Sequence, residues 1–174
     1  MTPDPSLELG SAAIALRTGA AVLAGTLLGI NRDLHHKSAG VRTHSLVSLG
    51  SALVVMLAFS VDEQKGTGTT RVIQGLVTGI GFLGAGVILH RETHKRIEGL
   101  TTAASIWVAA AFGMACGAGL FMLAGITLGA ALLVLVLGGP LEKALERVFI
   151  PKDDAPKDDA PKDDAPKDDA PASG

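Results

Sequence analysis

His90 and His94 stand four residues apart, a spacing that puts both on one face of a helix and could ligate a transition metal. Histidine is a poor ligand for Mg²⁺, which takes oxygen donors and keeps much of its water. For a hard cation the candidates are the carboxylates Asp33, Glu92 and Glu98. No cofactor is expected; Mg²⁺ enters only as a candidate ligand or signal. Arg17 is the second chemical oddity, a cation inside the first apolar run. An arginine in hydrocarbon costs about 2.5–3.5 kcal/mol on insertion scales and needs a partner or a route to water. Its possible partners are Gln74, backbone carbonyls near a glycine break, or Asp62 and Glu63. Gly79, Gly81 and Gly84 spell GxGxxG within the run TGIGFLGAG. A dinucleotide site would need a strand before that triplet and an amphipathic helix after it. The surrounding run is continuously apolar, so the reading is steric: Gly75, Gly79 and Gly86, with Thr78 and Ala85, let neighbouring helices approach. The other reading is a broken helix that offers carbonyls to an ion. Cys116 is the one cysteine, in an apolar, glycine-rich run, and reads as a small packing residue. There is no catalytic triad logic, no phosphate loop, and no aromatic interleaving for nucleic acid, so an enzyme is not expected.

The elements that hold these residues are membrane helices. The last 24 residues contain four lysines and eight aspartates and nothing apolar larger than alanine and proline. Taking them from 15 basic and 17 acidic residues leaves 11 and 9 in the first 150, a net charge of +2. Those 20 charged residues in 150 are about half the number a soluble domain of this length carries. A soluble globular enzyme and a wholly disordered chain are both excluded. Five apolar segments run from about Leu9 to Ile30, Ser45 to Val61, Val72 to Leu89, Thr101 to Cys116 and Leu120 to Leu137. Crossing about 30 Å of hydrocarbon takes roughly 20 helical residues, so the second segment is marginal and the fourth short. Backbone satisfaction in lipid leaves a helical bundle as the spanning solution. The fold class is therefore all-α: an integral membrane bundle of about five helices, residues 1–139, with a disordered tail. Trp107 is expected to pack between helices.

Basic residues collect in three places: Arg32, Lys37 and Arg42; Arg91, Lys95 and Arg96; and Lys143 with Arg147. With five crossings these lie on one side, which the positive-inside rule makes cytoplasmic, with the N-terminus outside. All five histidines, His35, His36, His44, His90 and His94, fall in the loops on that side. No basic residue precedes Arg17, so the first segment reads as a retained helix and not a signal peptide. Residues 140–150 read as a short amphipathic interfacial helix, with Pro140 in its first turn and Pro151 stopping it. Residues 151–174 repeat Pro-Lys-Asp-Asp-Ala and cannot form a packed core.

Three blocks carry a family resemblance: AGVRTHSLVSLGSAL, VTGIGFLGAGVIL and IEGLTTAASIWVAAAFGMACGAG. In order and spacing, over roughly Leu16 to Leu137, they resemble the MgtC/SapB membrane-protein family. The motif positions are Arg42, Thr43 and His44; Gly79, Gly81, Phe82, Gly84 and Gly86; and Gly99, Thr101, Thr102 and Trp107. Where the family has a glycine-leucine-glutamate-arginine-like sequence, this chain has Gly29-Ile30-Asn31-Arg32-Asp33. Asn31 replaces the usual glutamate, so a role for that carboxylate would fall to Asp33. The chain resembles the short, membrane-only members.

The resemblance implies a protein of the bacterial inner membrane connected with magnesium limitation, acid stress or survival inside host cells. Two functions compete. One is a regulatory factor that touches other inner-membrane proteins, or further copies of itself, through its helices. The other is a magnesium transporter or channel component. The five segments hold no Asp or Glu, which counts against a cation path through a monomer. The partners expected are membrane lipid and membrane proteins, with no nucleic acid.

Overall fold

The computed structural model describes residues 10–61, 67–89 and 99–149. Among them the chain forms five helices and no strand: α1 (Ser11–Leu34), α2 (Val41–Val61), α3 (Thr67–Leu89), α4 (Leu100–Gly117) and α5 (Phe121–Phe149). Each contains an apolar stretch of 18 to 24 residues, long enough to cross a bilayer. The chain is a multi-pass helical membrane protein. The Pro-Lys-Asp-Asp-Ala tail, His90, His94, Glu92, Glu98, Asp62 and Glu63 lie outside the described residues.

The helices outrun the apolar runs at several ends. α1 continues past Ile30 to Leu34, and α2 starts at Val41, not Ser45. Arg32 and His44, both read as loop residues, are therefore helical. The polar groups that blur the hydropathy boundary find partners on α4, Arg32 at Thr102 and His44 at Ser105, so the helices need not stop there. α1 does stop at His36, which takes a left-handed conformation with φ 51°, while Lys37 N donates back to Arg32 O at 3.1 Å. Asp33 then caps the next helix, its Oδ2 accepting from Val41 N at 3.0 Å. α4 turns into α5 through Gly119 at φ 78°, with Leu120 N bonded to Ala115 O at 2.8 Å, a glycine-terminated helix end.

α2 is the hub and packs against α1, α4 and α3; α4 also meets α1 and α3. The α1–α2 and α2–α4 seams are built from residues with little or no side chain. A Cβ at Gly25 would stand 2.5 Å from the His44 carbonyl oxygen, and one at Gly29 would overlap Val41. A Cβ at Gly117 would stand 2.6 Å from Ala52 O, and one at Gly113 would collide with Ser48 O. Both helices therefore bring backbone against the backbone of α2, which is how helices gain contact where lipid offers no hydrophobic drive. Ser48 Oγ donates to Ala21 O at 2.8 Å across one seam, and Thr26 and Ser45 pair hydroxyls at 2.9 Å. Ala21, Ala52, Met56, Cys116 and Ala124 close one end of the core. Cys116 is a free, buried thiol, used as packing.

α3 and α5 are applied to the outside of this trio. Leu76, Ile80 and Val87 of α3 pack on Ala39, Ile106 and Ala110. Leu128, Ala131, Leu132 and Leu135 of α5 cover Ala24, Leu28, Ala109 and Phe112. The described residues up to Gly139 form one compact unit; those from Pro140 belong to a second. In that second unit the chain stays helical to Phe149, with Pro140 inside α5. Leu141, Leu145, Val148 and Phe149 are exposed there and share one helical face by their spacing.

Candidate functional site

Three helix ends bring a polar cluster together: the last turn of α1, the first turn of α2 and the first turn of α4. Arg32 of α1 is only 4% exposed, His44 of α2 is fully buried, and Thr102 and Ser105 of α4 are each 4% exposed. Arg32 Nη2 donates to Thr102 Oγ1 at 2.6 Å. His44 Nε2 lies 3.0 Å from Ser105 Oγ, its Nδ1 2.9 Å from Gly40 O, and Ser105 Oγ 2.8 Å from Thr102 O.

The protons can be counted. A carbonyl only accepts, so His44 Nδ1 carries a hydrogen and donates to Gly40 O. If Ser105 gives its single proton to Thr102 O, His44 Nε2 must also donate, and the ring is an imidazolium. If the ring is neutral, Ser105 must turn its proton toward Nε2, and the bond to Thr102 O is lost. The Ser105 hydroxyl therefore points one way or the other according to the proton on His44. Arg32 is held on the same chain through Thr102, and its Nε has no hydrogen-bond partner among the described residues.

The cluster is rich in donors and positive charge. Mg²⁺ needs carboxylate, carbonyl or water oxygens, and a guanidinium at 4% exposure repels it. These residues do not fit that ion. Among the described residues no three His, Cys, Asp or Glu side chains come together. Asp33, the described metal candidate, uses Oδ2 to cap α2.

Arg17 meets a different fate. Its Nη1 donates to Gly117 O at 2.9 Å, and its guanidinium lies beside Gly119 at the α4–α5 turn. The carbonyl at a glycine break is its partner, and Gln74 is not. Of the motif residues, His44 and Thr102 converge in the cluster. Arg42, Thr43 and Thr101 face outward, as does Trp107, 46% exposed instead of wedged between helices. Gly99 takes φ 94° to open α4, 3.1 Å from Val87 O at the position of its missing Cβ. The expectation that the α3 glycines seat a neighbouring helix is overturned within this chain. Among the described residues a Cβ at Gly75, Gly79, Gly81 or Gly86 would meet nothing within 4 Å, while one at Gly84 would stand 3.5 Å from the Ala103 side chain. Phe82 is 80% exposed.

Arg32, Ser48 and Ser105 carry most of the buried side-chain hydrogen bonding; each lies inside a quoted family stretch, but none is among the motif positions carried over. The signal was periodic. Ala21, Ala24, Gly25, Leu28, Gly29 and Arg32 follow one stripe of α1, so counting on in helical steps from the small residues reaches the arginine.

The arrangement defines a class: a small multi-pass bundle with a glycine-closed core and a buried cationic cluster at one end. The MgtC family matches residues 19–144, and the chain belongs to that family. It is 39% identical over 145 residues to the protein SrpB of Synechococcus elongatus, covering 78% of each chain. It is 41% identical over 126 residues to the protein MgtC of Brucella abortus, covering 72% of this chain and 51% of that one. It is 41% identical over 120 residues to YhiD of Escherichia coli K12, provisionally named a magnesium transporter, covering 65% and 54%. The chain thus spans about half the length of the latter two relatives. No solved structure matches it.

Proposed function

We propose that this member of the MgtC family is a regulatory membrane protein that acts by helix contact on other inner-membrane proteins and does not conduct Mg²⁺. The role is adaptation to low magnesium, acid stress or intracellular survival, as the family resemblance implies. The observation that supports it most is the character of the buried polar centre. A path for a divalent cation through the α1–α2–α4 core would have to pass a guanidinium 4% exposed and a fully buried imidazole, a repulsive barrier in low dielectric. The same core brings the glycines of α1 and α4 against α2 backbone. In this reading the three basic stretches face the cytoplasm and the N-terminus lies outside. The bundle is a rigid platform, and its outward helix faces are the working surfaces.

The test is Mg²⁺ flux into proteoliposomes carrying the purified chain, paired with co-purification from native membranes. Flux at the protein-free rate, together with a specific membrane partner, is the expected result. Flux that saturates with Mg²⁺ would replace this reading with the transporter reading, which the name of the Escherichia coli relative favours.

A further inference from the structure

α4 opens on a turn that no side chain caps, with a buried cation set against it. Gly99 holds φ 94° at the N-cap, a left-handed conformation that favours glycine over Ser or Thr. A Cβ there would also stand 3.1 Å from Val87 O. The position therefore suits glycine and excludes the usual capping hydroxyls. Gly99 has no side chain to offer the N–H groups of Leu100, Thr101 and Thr102, which have no acceptor within their own helix. The first turn of α2, at the same end of the bundle, is capped by Asp33 through Val41 N. Asp33 is the one acid at these three helix ends among the described residues, and it is spent there.

Arg32 is the second, independent observation. Its side chain is 4% exposed, and Nη2 donates to Thr102 Oγ1 at 2.6 Å. That bond sets the guanidinium against the first turn of α4. Its Nε, enclosed as well, has no partner among the described residues. A buried cation with unused donors is costly. The α4 dipole adds about half a positive charge at the same place. Both deficits are met by one kind of group, an oxyanion.

We propose that the first turn of α4 and the Arg32 guanidinium form a binding site for a phosphate group. The α4 N–H groups and the exposed Thr101 hydroxyl donate from one side, and Arg32 supplies its charge from α1. A phosphate offers more acceptor oxygens than a carboxylate and can take several donors at once. Leu100 is the first residue of the span Leu100–Gly117, so this turn lies where hydrocarbon ends and lipid phosphates begin. Lys37 and Arg42, exposed at the same end of the bundle, draw anions toward it. Two sources carry the group, an anionic phospholipid headgroup and a soluble phosphate. Either one ties the end of α1 to the start of α4. The site rests on this geometry and on neither functional reading, since a regulator and a transporter could both hold it.

The full chain, purified in detergent without phosphate, is titrated with sodium phosphate against sodium chloride of equal ionic strength, and its thermal midpoint followed. In parallel it is reconstituted in phosphatidylcholine vesicles with graded phosphatidylglycerol, and the lipid retained on extraction is counted by native mass spectrometry. Saturable binding of one phosphate group per chain is expected, with a raised midpoint. Thr101→Val should weaken it about ten- to hundredfold, the range of one hydrogen bond to a charged acceptor. Arg32→Lys keeps a charge and loses the fork, and should weaken it at least as much. Should that buried substitution prevent assembly, the exposed Thr101→Val decides alone. Thr43→Val, in the capped first turn of α2, should leave binding unchanged. Retention of phosphatidylglycerol alone assigns the site to a lipid headgroup, saturation by free phosphate alone assigns it to a soluble one, and competition between them to both. No saturable binding of either overturns the proposal. So does binding that Thr101→Val and Arg32→Lys leave unchanged, which would put the anion on Lys37 and Arg42, or binding that Thr43→Val weakens equally. None of these readouts measures Mg²⁺ flux or a protein partner, so the site and the regulatory role can fail separately.

Discussion

Gly25 and Gly29 on α1, and Gly113 and Gly117 on α4, have the same four-residue spacing as Gly75 and Gly79 on α3. Their surroundings are opposite. The first four stand against α2 backbone, closer than any Cβ could. The α3 pair, with Gly81 and Gly86, looks into open space. Small-residue spacing therefore states that a helix could be approached closely and leaves open what approaches it. In this chain the glycine pairs of α1 and α4 close the fold, and most of the glycine-rich run of α3 is turned outward.

Substitutions can break or sharpen that comparison. The largest effect is expected from Gly113→Leu. Its side chain would be driven into the Ser48 carbonyl and Ser51, where backbone cannot yield, and the chain should fail to assemble a stable bundle in detergent. Gly113→Ala is the graded version and should cost about 1–3 kcal/mol as overpacking, read as a lowered thermal midpoint. If Gly113→Ala melts with the native protein, the α2–α4 seam is looser than described.

A step smaller is Thr102→Val, which removes the acceptor of the Arg32 Nη2 bond and leaves a buried donor with nothing to bond. The expected loss is about 1–3 kcal/mol. Thr101→Val, one residue away and exposed, should change stability by less than about 0.5 kcal/mol. Equal melting of the two variants would show that the cluster does not hold the helix ends together.

Arg17→Met removes one partly buried bond to Gly117 O and keeps most of the apolar stem. A loss of about 1 kcal/mol is expected, with opening at the α4–α5 turn visible as faster amide exchange at Gly119. Unchanged exchange there would assign Arg17 to the lipid headgroups.

The smallest effect on the bundle is expected from Gly79→Ala. Nothing stands within 4 Å of the added methyl, and alanine is the better helix former by up to about 1 kcal/mol. Stability of the bundle should hold or rise. A large loss would mean that the Gly79 side of α3, and not only its Leu76–Ile80–Val87 side, packs against another helix of the same chain.

Much was legible before any coordinates. Each of the five spans was visible because crossing a membrane depends on a sum over that segment's own residues, and a run such as Phe121 to Leu137 announces itself whatever its neighbours do. The all-α class followed from the same sum, and the family from three blocks in order. Arg17's need for a partner was plain from its place in an apolar run. Helix ends were less legible, because the capping of α2 by Asp33 and the polar last turn of α1 lie outside what hydropathy measures.

Only the tertiary structure decided which side of each helix is inside. It buried His44 and Arg32 together, turned Trp107 and Phe82 outward, and gave the seams to Gly25, Gly29, Gly113 and Gly117. The physical reason is that facing is a property of pairs. In lipid, an outward and an inward apolar side chain differ little in transfer free energy, so composition alone cannot orient a helix. The choice is made by backbone approach, by hydroxyl bonds such as Ser48 to Ala21, and by the few charged or amide groups that must find a partner. Those contacts join residues as far apart as Arg32 and Thr102, and no local stretch of sequence contains both.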